Sequence, residues 1–576
     1  MVQDIYEPLN EYVQIYRDRF KKIAEDTFDG LASEASIDIE ANRRTCREIY
    51  KSEADLGGIR SKIKWWIFLC VVLWICVVGG IASIFLIDGI TTMTITLIAA
   101  GVVGVLLLLF LKVHPKINQL KKDSGDLESI IAKLKEEAWG QMKPLNDLYD
   151  WDVLARMISK TVPRIEFDPY FTSQRLADLK ATYGWDESFN RDRSVIYSHS
   201  GLINGNPFVL CRTRRMEMGT KTYHGYKTIS WSSREIGGDG KYHTVRRTQT
   251  LHATYTAPYP EYLEETRLIY ANTAAPDLIF HRKQSDLAGR EKSLAFKWKE
   301  WRLRRKSRKL EDNDYAMMTN EVFEVAFDTS DRNNNQQFAL LFTPLAQENM
   351  LELLRDEEIG YGDDFDFIKK KMINTIVPDH LQEMELDMNP SRYMHFDFDK
   401  ARENFCTSNA EYFHAIYFSF APLLCVPMYQ QIRPQHDIYG HDMMRSSTFW
   451  EHEALANFWG QNKFQHSDCV TDCILKTESE QGEDSSTITV YAHGYRAEQR
   501  IEYVSVFGAD GRFHSVPVDW DEYIPVTGQG TIQIKEDNDA EDASITQKQR
   551  IAHIHDVLRS SGLHMYRRHI ASKVKK

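Results

Sequence analysis

The stretch Trp450-Glu451-His452-Glu453-Ala454-Leu455-Ala456-Asn457 begins to spell H-E-x-x-H. In that pattern two imidazoles four residues apart share one helix face and one zinc ion, and the glutamate serves as general base. Here the second imidazole position is Ala456, so the pattern is broken. Thr448 and Glu451 form T-x-x-E, a capping box, and Gly460 suits the C-terminal cap, which predicts a helix over 449–459. His452 shares a stripe with Leu455 and Trp459, where a histidine more often packs than ligates. Metal donors do surround the helix. His436 and His441 precede it in QHDIYGHD, and His466, Cys469 and Cys473 follow in FQHSDCVTDC. Neutral imidazoles and thiolates are good zinc ligands, and Asp437 and Asp442 would serve as ligands or orient them. A zinc hydrolase built on 436–473, with His452 or His466 as base and Glu453 nearby, is one expectation. Against it, C-x3-C has no second cysteine pair after it, and the spacings of known zinc classes are absent.

A second chemical cluster is EKSLAFKWKEWRLRRKSRKL, 291–310. It reads as a helix with Leu294, Trp298 and Trp301 on one face. Nine Lys or Arg lie between Lys292 and Lys309, among them Lys297, Lys299, Arg302, Arg304, Arg305 and Lys306. A basic helix with aromatics suits an anionic membrane surface, or RNA phosphates. The competing expectation is a solvated face whose tryptophans pack on the domain.

The elements that must position these groups begin in the membrane. WWIFLCVVLWICVVGGIASIFLI, 65–87, and ITTMTITLIAAGVVGVLLLLFL, 90–111, carry no charge, and each is long enough to cross a hydrocarbon core. Asp88-Gly89 predicts a tight turn between them. Lys51, Arg60, Lys62 and Lys64 flank the first span, and Lys112, Lys116, Lys121 and Lys122 follow the second. The positive-inside rule then puts both termini in the cytoplasm. Gly79 with Ser83, and Ala100 with Gly104, are small pairs that permit close helix contact. Trp65 and Trp66 are placed for the inner interface. No cleavable signal is read in the N-terminus.

After the spans, Ile117, Leu120, Leu127, Ile131, Leu134 and Ala138 step by threes and fours, with Ser124 the polar break. That is a coiled-coil seam. Leu9, Val13, Tyr16, Phe20 and Ile23 make a similar stripe in the N-terminal arm, which predicts an antiparallel stalk or pairing between copies; the competing expectation is two separate amphipathic helices on a globular domain. The organisation expected is an arm (1–64), two spans, a stalk (112–146), an α+β region (160–385) and a second α+β region (390–576). Segment 193–215 reads as strand, Gly/Asn turn, strand. TISWSS (228–233) and TVRRTQTLHATYTA (244–257) read as strands around GGDGK. Residues 500–518 read as a hairpin turning at Asp510-Gly511, with ITVYAHGY as a third strand. An acidic linker (536–544), a helix (546–562) and a basic surface tail close the chain.

In NEVFEVAFDTSDRNNNQQFALLFTPLAQENMLELLRD, 320–356, alternation of Phe323, Val325 and Phe327 predicts a strand, and 338–342 a second one. Thr343 then caps a helix opened by Pro344. This wording, with GLINGNPFVL before it, resembles an uncharacterised family of bacterial two-span membrane proteins, a domain of unknown function, over roughly 60–360. The resemblance implies an α+β cytosolic region behind a two-helix anchor and no particular chemistry.

The net charge of −12 argues against nucleic acid as the main partner, and eight scattered cysteines fit a reducing compartment. Phosphate-binding loops, nucleophile elbows and kinase signatures are absent from the sequence. The α+β chain is therefore expected to be a membrane-anchored, cytosol-facing scaffold or binding protein of the bacterial inner membrane. The lipid bilayer and further copies of itself, met through spans and stalk, are its expected partners. A zinc hydrolase and an oligomeric pore are the alternatives.

Overall fold

A computed structural model of the chain describes residues 7–86, 92–149, 152–236, 238, 241–309, 315–387, 389–434, 446–480, 486–536, 549, 552, 564–566 and 570–575. They fall into two compact units, one of Glu25–Tyr149 with Pro390–Ser408, the other of the remaining chain.

The first unit is helical. Two helices are long and apolar enough to cross a membrane. The first runs Ile39–Leu86; the second runs Thr92–Leu108, passes a π-helical turn at Leu109–Val113, and continues as His114–Asn146. The turn expected at Asp88-Gly89 lies outside the described residues. Cys70, Val77, Leu109, Val113 and Ile117 form a contact core between the two helices. Close approach occurs at Gly80, where a Cβ would lie 2.8 Å from Val102 Cγ2; Gly79 and Gly104, the expected small contacts, have open space. Beyond the spans the helices run antiparallel. Gln141 bonds Thr45 (3.0 Å), Lys135 pairs with Glu53 (2.7 Å) and Arg60 with Glu128 (3.1 Å). Ile117, Leu120, Ile131 and Ala138 are buried along this seam, and Ser124 satisfies its hydroxyl on Glu128 at 3.0 Å. The expected stalk partner is thereby corrected. The seam meets the Ile39–Leu86 helix, whereas Tyr12, Tyr16 and Phe20 of the N-terminal stripe belong to the other unit and pack there on its own Phe413 and Tyr417.

Pro390–Ser408 completes the helical unit. The Phe396 carbonyl accepts from Asn42 Nδ2 at 2.8 Å, Asp397 accepts from Tyr50 Oη at 2.6 Å, and Arg43 forks onto Asp399. Phe28 packs against Phe398 and Phe405.

In the other unit the described strands form two antiparallel sheets. The first holds β1 (Ile165–Phe167), β2 (Arg193–Ile203), β3 (Asn206–Ile236), β4 (Tyr242–Ala271), β5 (Ile279–Arg282), β6 (Phe365–Lys370) and β7 (Ile373–Pro378), in the order β1-β2-β3-β4-β7-β6-β5. The second holds β8 (Ile474–Glu480), β9 (Ser486–Phe507), β10 (Phe513–Glu536), β11 (His564–Tyr566) and β12 (Ile570–Lys575), in the order β11-β12-β10-β9-β8. Asn204 and Gly205, both at positive φ, turn β2 into β3 as expected. The strands read at 228–233 and 244–257 are the distal parts of β3 and β4, which pair without a break from Phe208↔Tyr270 to Ile236↔Tyr242. A 31-residue strand is about 100 Å long. Likewise ITVYAHGY is the first half of β9 rather than a third strand, and β9 and β10 pair from Ser486↔Ile534 to Phe507↔Phe513. The two long hairpins lie face to face. Ile229, Leu251 and Ala253 meet Val516 and Val518, and a Cβ at Gly225 would fall 2.1 Å from the Pro517 carbonyl oxygen.

Two strand expectations fail at 320–342. Glu321–Phe327 and Asn335–Leu341 are short helices, N-capped by Asn320 and Asn334, whose side chains accept from Phe323 N and Gln337 N. Every residue from Phe323 to Phe327 is buried, so alternation there carried no information about one exposed face. The Thr343 cap and the Pro344–Arg355 helix are as expected. The basic tail is also corrected, since Ile570–Lys575 pairs with β10 and buries Ile570. The acidic linker beyond Glu536 and the helix expected over 546–562 lie outside the described residues, apart from Gln549 and Ala552.

Candidate functional site

The helix Phe449–Trp459 forms where the sequence places it, with Gly460 closing it at φ 91°. Its start differs from expectation. Thr448 makes no side-chain cap, and Glu451 turns away from the helix end. The Glu451 carboxylate accepts from Phe171 N at 2.9 Å and from Ser198 Oγ at 3.2 Å, holding β2 and the chain before Thr172 to this helix. Glu453, also buried, accepts from Val195 N and Lys476 Nζ, each at 2.9 Å. Burial pushes its carboxyl up to about 7, against the pull of Lys476 and the Val195 N–H. Both acidic groups of the broken motif are thus committed to fixing strands on the helix.

His452 is buried beside them, and burial holds its imidazole down to about 4. Its Nε2 lies 2.9 Å from Ser447 Oγ, which also contacts the Glu536 carboxylate. The carboxylate accepts the hydroxyl proton, so Ser447 accepts from Nε2–H. Among the described residues His452 Nδ1 meets no partner. A hydrolytic triad needs the acid on the imidazole and the imidazole accepting from the hydroxyl. Here the order is acid, hydroxyl, imidazole, which orients side chains and does not create a nucleophile.

Cys469 and Cys473 come together, with 3.6 Å between sulfurs. Gly494 makes room for them, since a Cβ there would lie 2.5 Å from one sulfur and 2.9 Å from the other. Burial pushes the Cys473 thiol up to about 12, which disfavours the thiolate that zinc requires. His466 uses Nδ1 locally, accepting from Asp468 N at 3.2 Å. Among the described residues no three His, Cys, Asp or Glu side chains converge to hold a metal. His436 and His441, with Asp437 and Asp442, lie outside the described residues.

The basic helix spans Leu294–Lys309. Phe296 and Leu303 are buried, with Tyr315 and Val325 in the same cluster. Leu294, Trp298 and Trp301 share a face, as the sequence indicates, and among the described residues that face is exposed rather than covered by the domain.

Sequence reading missed the exposed apolar groups on the long hairpins. Tyr242 is 72% exposed and Phe513 73%, while Tyr226, Ile236 and Phe507 are also open. Phe507 and Phe513 meet edge to face across their turn, with centroids 5.2 Å apart. The available signal was FGADGRF, which sets aromatic residues where a solvated turn wants polar ones. No protein-family model, curated protein or solved structure matches this chain.

Proposed function

We propose that this chain is a membrane-anchored, non-catalytic binding protein that faces the cytosol and engages a protein partner through its paired β-hairpins. The carrying observation is the set of apolar side chains left open at the far ends of those hairpins. Uncovered aromatics on a rigid two-layer projection resemble the anchor residues of protein interfaces. Glu451, His452 and Glu453 support a structural role, because their hydrogen bonds join the helix to its neighbours.

Two apolar helices whose spanning windows are only 11% buried support the anchor. Phe68, Ile75, Val78, Leu97, Phe110 and Leu111 turn outward, where a hydrocarbon phase would cover them. The lysines flanking both spans, with Trp65 and Trp66 at one boundary, favour cytoplasmic termini in a bacterial inner membrane. The coiled-coil-like pairing of the two long helices would carry the anchor into the cytosol as a stalk, consistent with the two-span family that the sequence resembles.

The test is the native complex extracted from membranes. Tyr242→Ser with Phe513→Ser, in the full chain, is expected to abolish its high-mass species on a native gel and leave membrane insertion intact. An unchanged species overturns the hairpin reading. Stoichiometric zinc, lost on Cys469→Ser with Cys473→Ser, would replace it with a metal-centred one.

A further inference from the structure

The Leu294–Lys309 helix has two chemically distinct faces. Phe296 and Leu303 hold it to the body. On the opposite stripe Leu294, Trp298 and Trp301 are 86%, 61% and 54% exposed. Positions 294, 298, 301 and 305 succeed one another at helical spacing, so the three apolar groups and Arg305 form one continuous line. The Arg302 guanidinium stands 5.8 Å from the Trp298 ring, and that of Arg305 stands 5.4 Å from the Trp301 ring.

Three other cations of the helix are spent elsewhere. Lys299 pairs with Asp328 at 2.9 Å, Arg304 with Glu300 at 2.7 Å and with Glu321, and Lys306 donates to the Ser330 carbonyl at 2.7 Å. Among the described residues, Lys297, Arg302 and Arg305 meet no carboxylate. The six basic residues singled out in the sequence thus divide into three that brace the helix and three that border its apolar stripe.

We propose that this stripe docks on the anionic face of a phospholipid bilayer. Trp298 and Trp301 sit at headgroup level, where an indole keeps its ring in apolar surroundings and its N–H in water. Leu294 enters the acyl boundary, and Lys297, Arg302 and Arg305 meet lipid phosphates. Lipid fits better than RNA. Single-stranded RNA is held in a basic groove with bases stacked on open aromatic faces. This surface is the convex side of a helix, includes a leucine, and has arginines over its indoles. The inference rests on the anchor proposed above, because two spans hold the helix at high effective concentration near a bilayer and make a weak contact sufficient.

The full chain is reconstituted in nanodiscs of phosphatidylcholine, alone or with phosphatidylglycerol, carrying photoreactive benzoylphenylalanine in place of Leu294. Irradiation is expected to give a phospholipid adduct on that peptide with the anionic mixture. The yield should fall on the order of tenfold in phosphatidylcholine alone, and similarly for Arg302→Ala with Arg305→Ala. Trp298→Ala with Trp301→Ala should remove it. Equal yields in both lipids, an adduct to another segment or copy of this chain, or transfer of the cross-link to added RNA each overturn the proposal. Carbonate washing separates the two claims. A chain that washes off the membrane overturns the anchor and this inference with it; one that stays and gives no lipid adduct overturns the helix contact alone.

Discussion

His452 donates to Ser447 and buries the lone pair of Nδ1, which makes its protonation costly to the fold. Its imidazole is held down to about 4, so between roughly pH 6.5 and 4 the unfolded chain takes up a proton that the folded chain refuses. Stability from this group is therefore complete above pH 6.5 and declines as pH falls through that window, by up to about 3 kcal/mol. Glu453 acts in the opposite sense. Its carboxyl, raised to about 7, stabilises most at low pH and loses that contribution as pH rises from about 4.5 to 7. The difference between wild type and His452→Gln isolates the histidine: relative to wild type, the variant's denaturant midpoint should rise as pH falls from 7 to 4.5. Gly494→Ala tests the sulfur pocket. Its methyl would fall 2.5 Å from Cys469 Sγ, a cost of about 1–3 kcal/mol, and Cys469→Ala in the same chain should restore part of the lost melting temperature. At this scale the sequence shows Ala456 where a helical zinc motif has its second histidine, and it shows the helix itself. That Glu451 would reach Phe171 and Ser198 was not legible, because those contacts join segments more than 250 residues apart.

Elements were readable where one side of the chain faces water and the other does not. The Ile117–Ala138 seam has such a side, and the two long N-terminal helices are each apolar over a membrane's width; the Phe449–Trp459 helix, buried from Trp450 to Ala456, was readable instead from the T-x-x-E stretch and the Gly460 that flank it. The Glu321–Phe327 helix has no exposed side, and its seven residues permit either period. Its true signal is polar. Glu324 accepts from both terminal nitrogens of Arg332, at 3.1 and 2.7 Å, and from Tyr315 Oη at 2.9 Å. Arg332 lies 4.1 Å from the Phe338 ring, with its side chain fully buried. Glu324→Ala strands that guanidinium among aromatic rings and should cost about 3–5 kcal/mol in urea denaturation of the full chain. Replacing the pair together should cost less than removing the glutamate alone. The hairpins were legible in kind but not in length. Thr, Arg, Lys and Glu on the outer faces of β3 and β4 look like ordinary solvated strand, and nothing local announces that pairing continues through Ile236↔Tyr242.

At the scale of the whole molecule the two-unit division follows the chain only in part. The helical unit takes in Pro390–Ser408, a segment that sequence alone gave no reason to place with the spans. A ribosome delivers that segment about 240 residues after Tyr149, which at 5–20 residues per second is roughly 10–50 s. During this interval the nascent helical unit has its two long helices but not the stretch of chain that closes over Asn42, Cys46 and Tyr50. Cys46 is 4% exposed in the finished protein. On a stalled chain ending before Pro390 it should react with a membrane-impermeant maleimide that the released full-length protein resists, as read by mass spectrometry of the Cys46 peptide. Biogenesis thus has a vulnerable stage before closure, in which chaperones and quality-control proteases can distinguish an unfinished copy from a finished one by a single cleft.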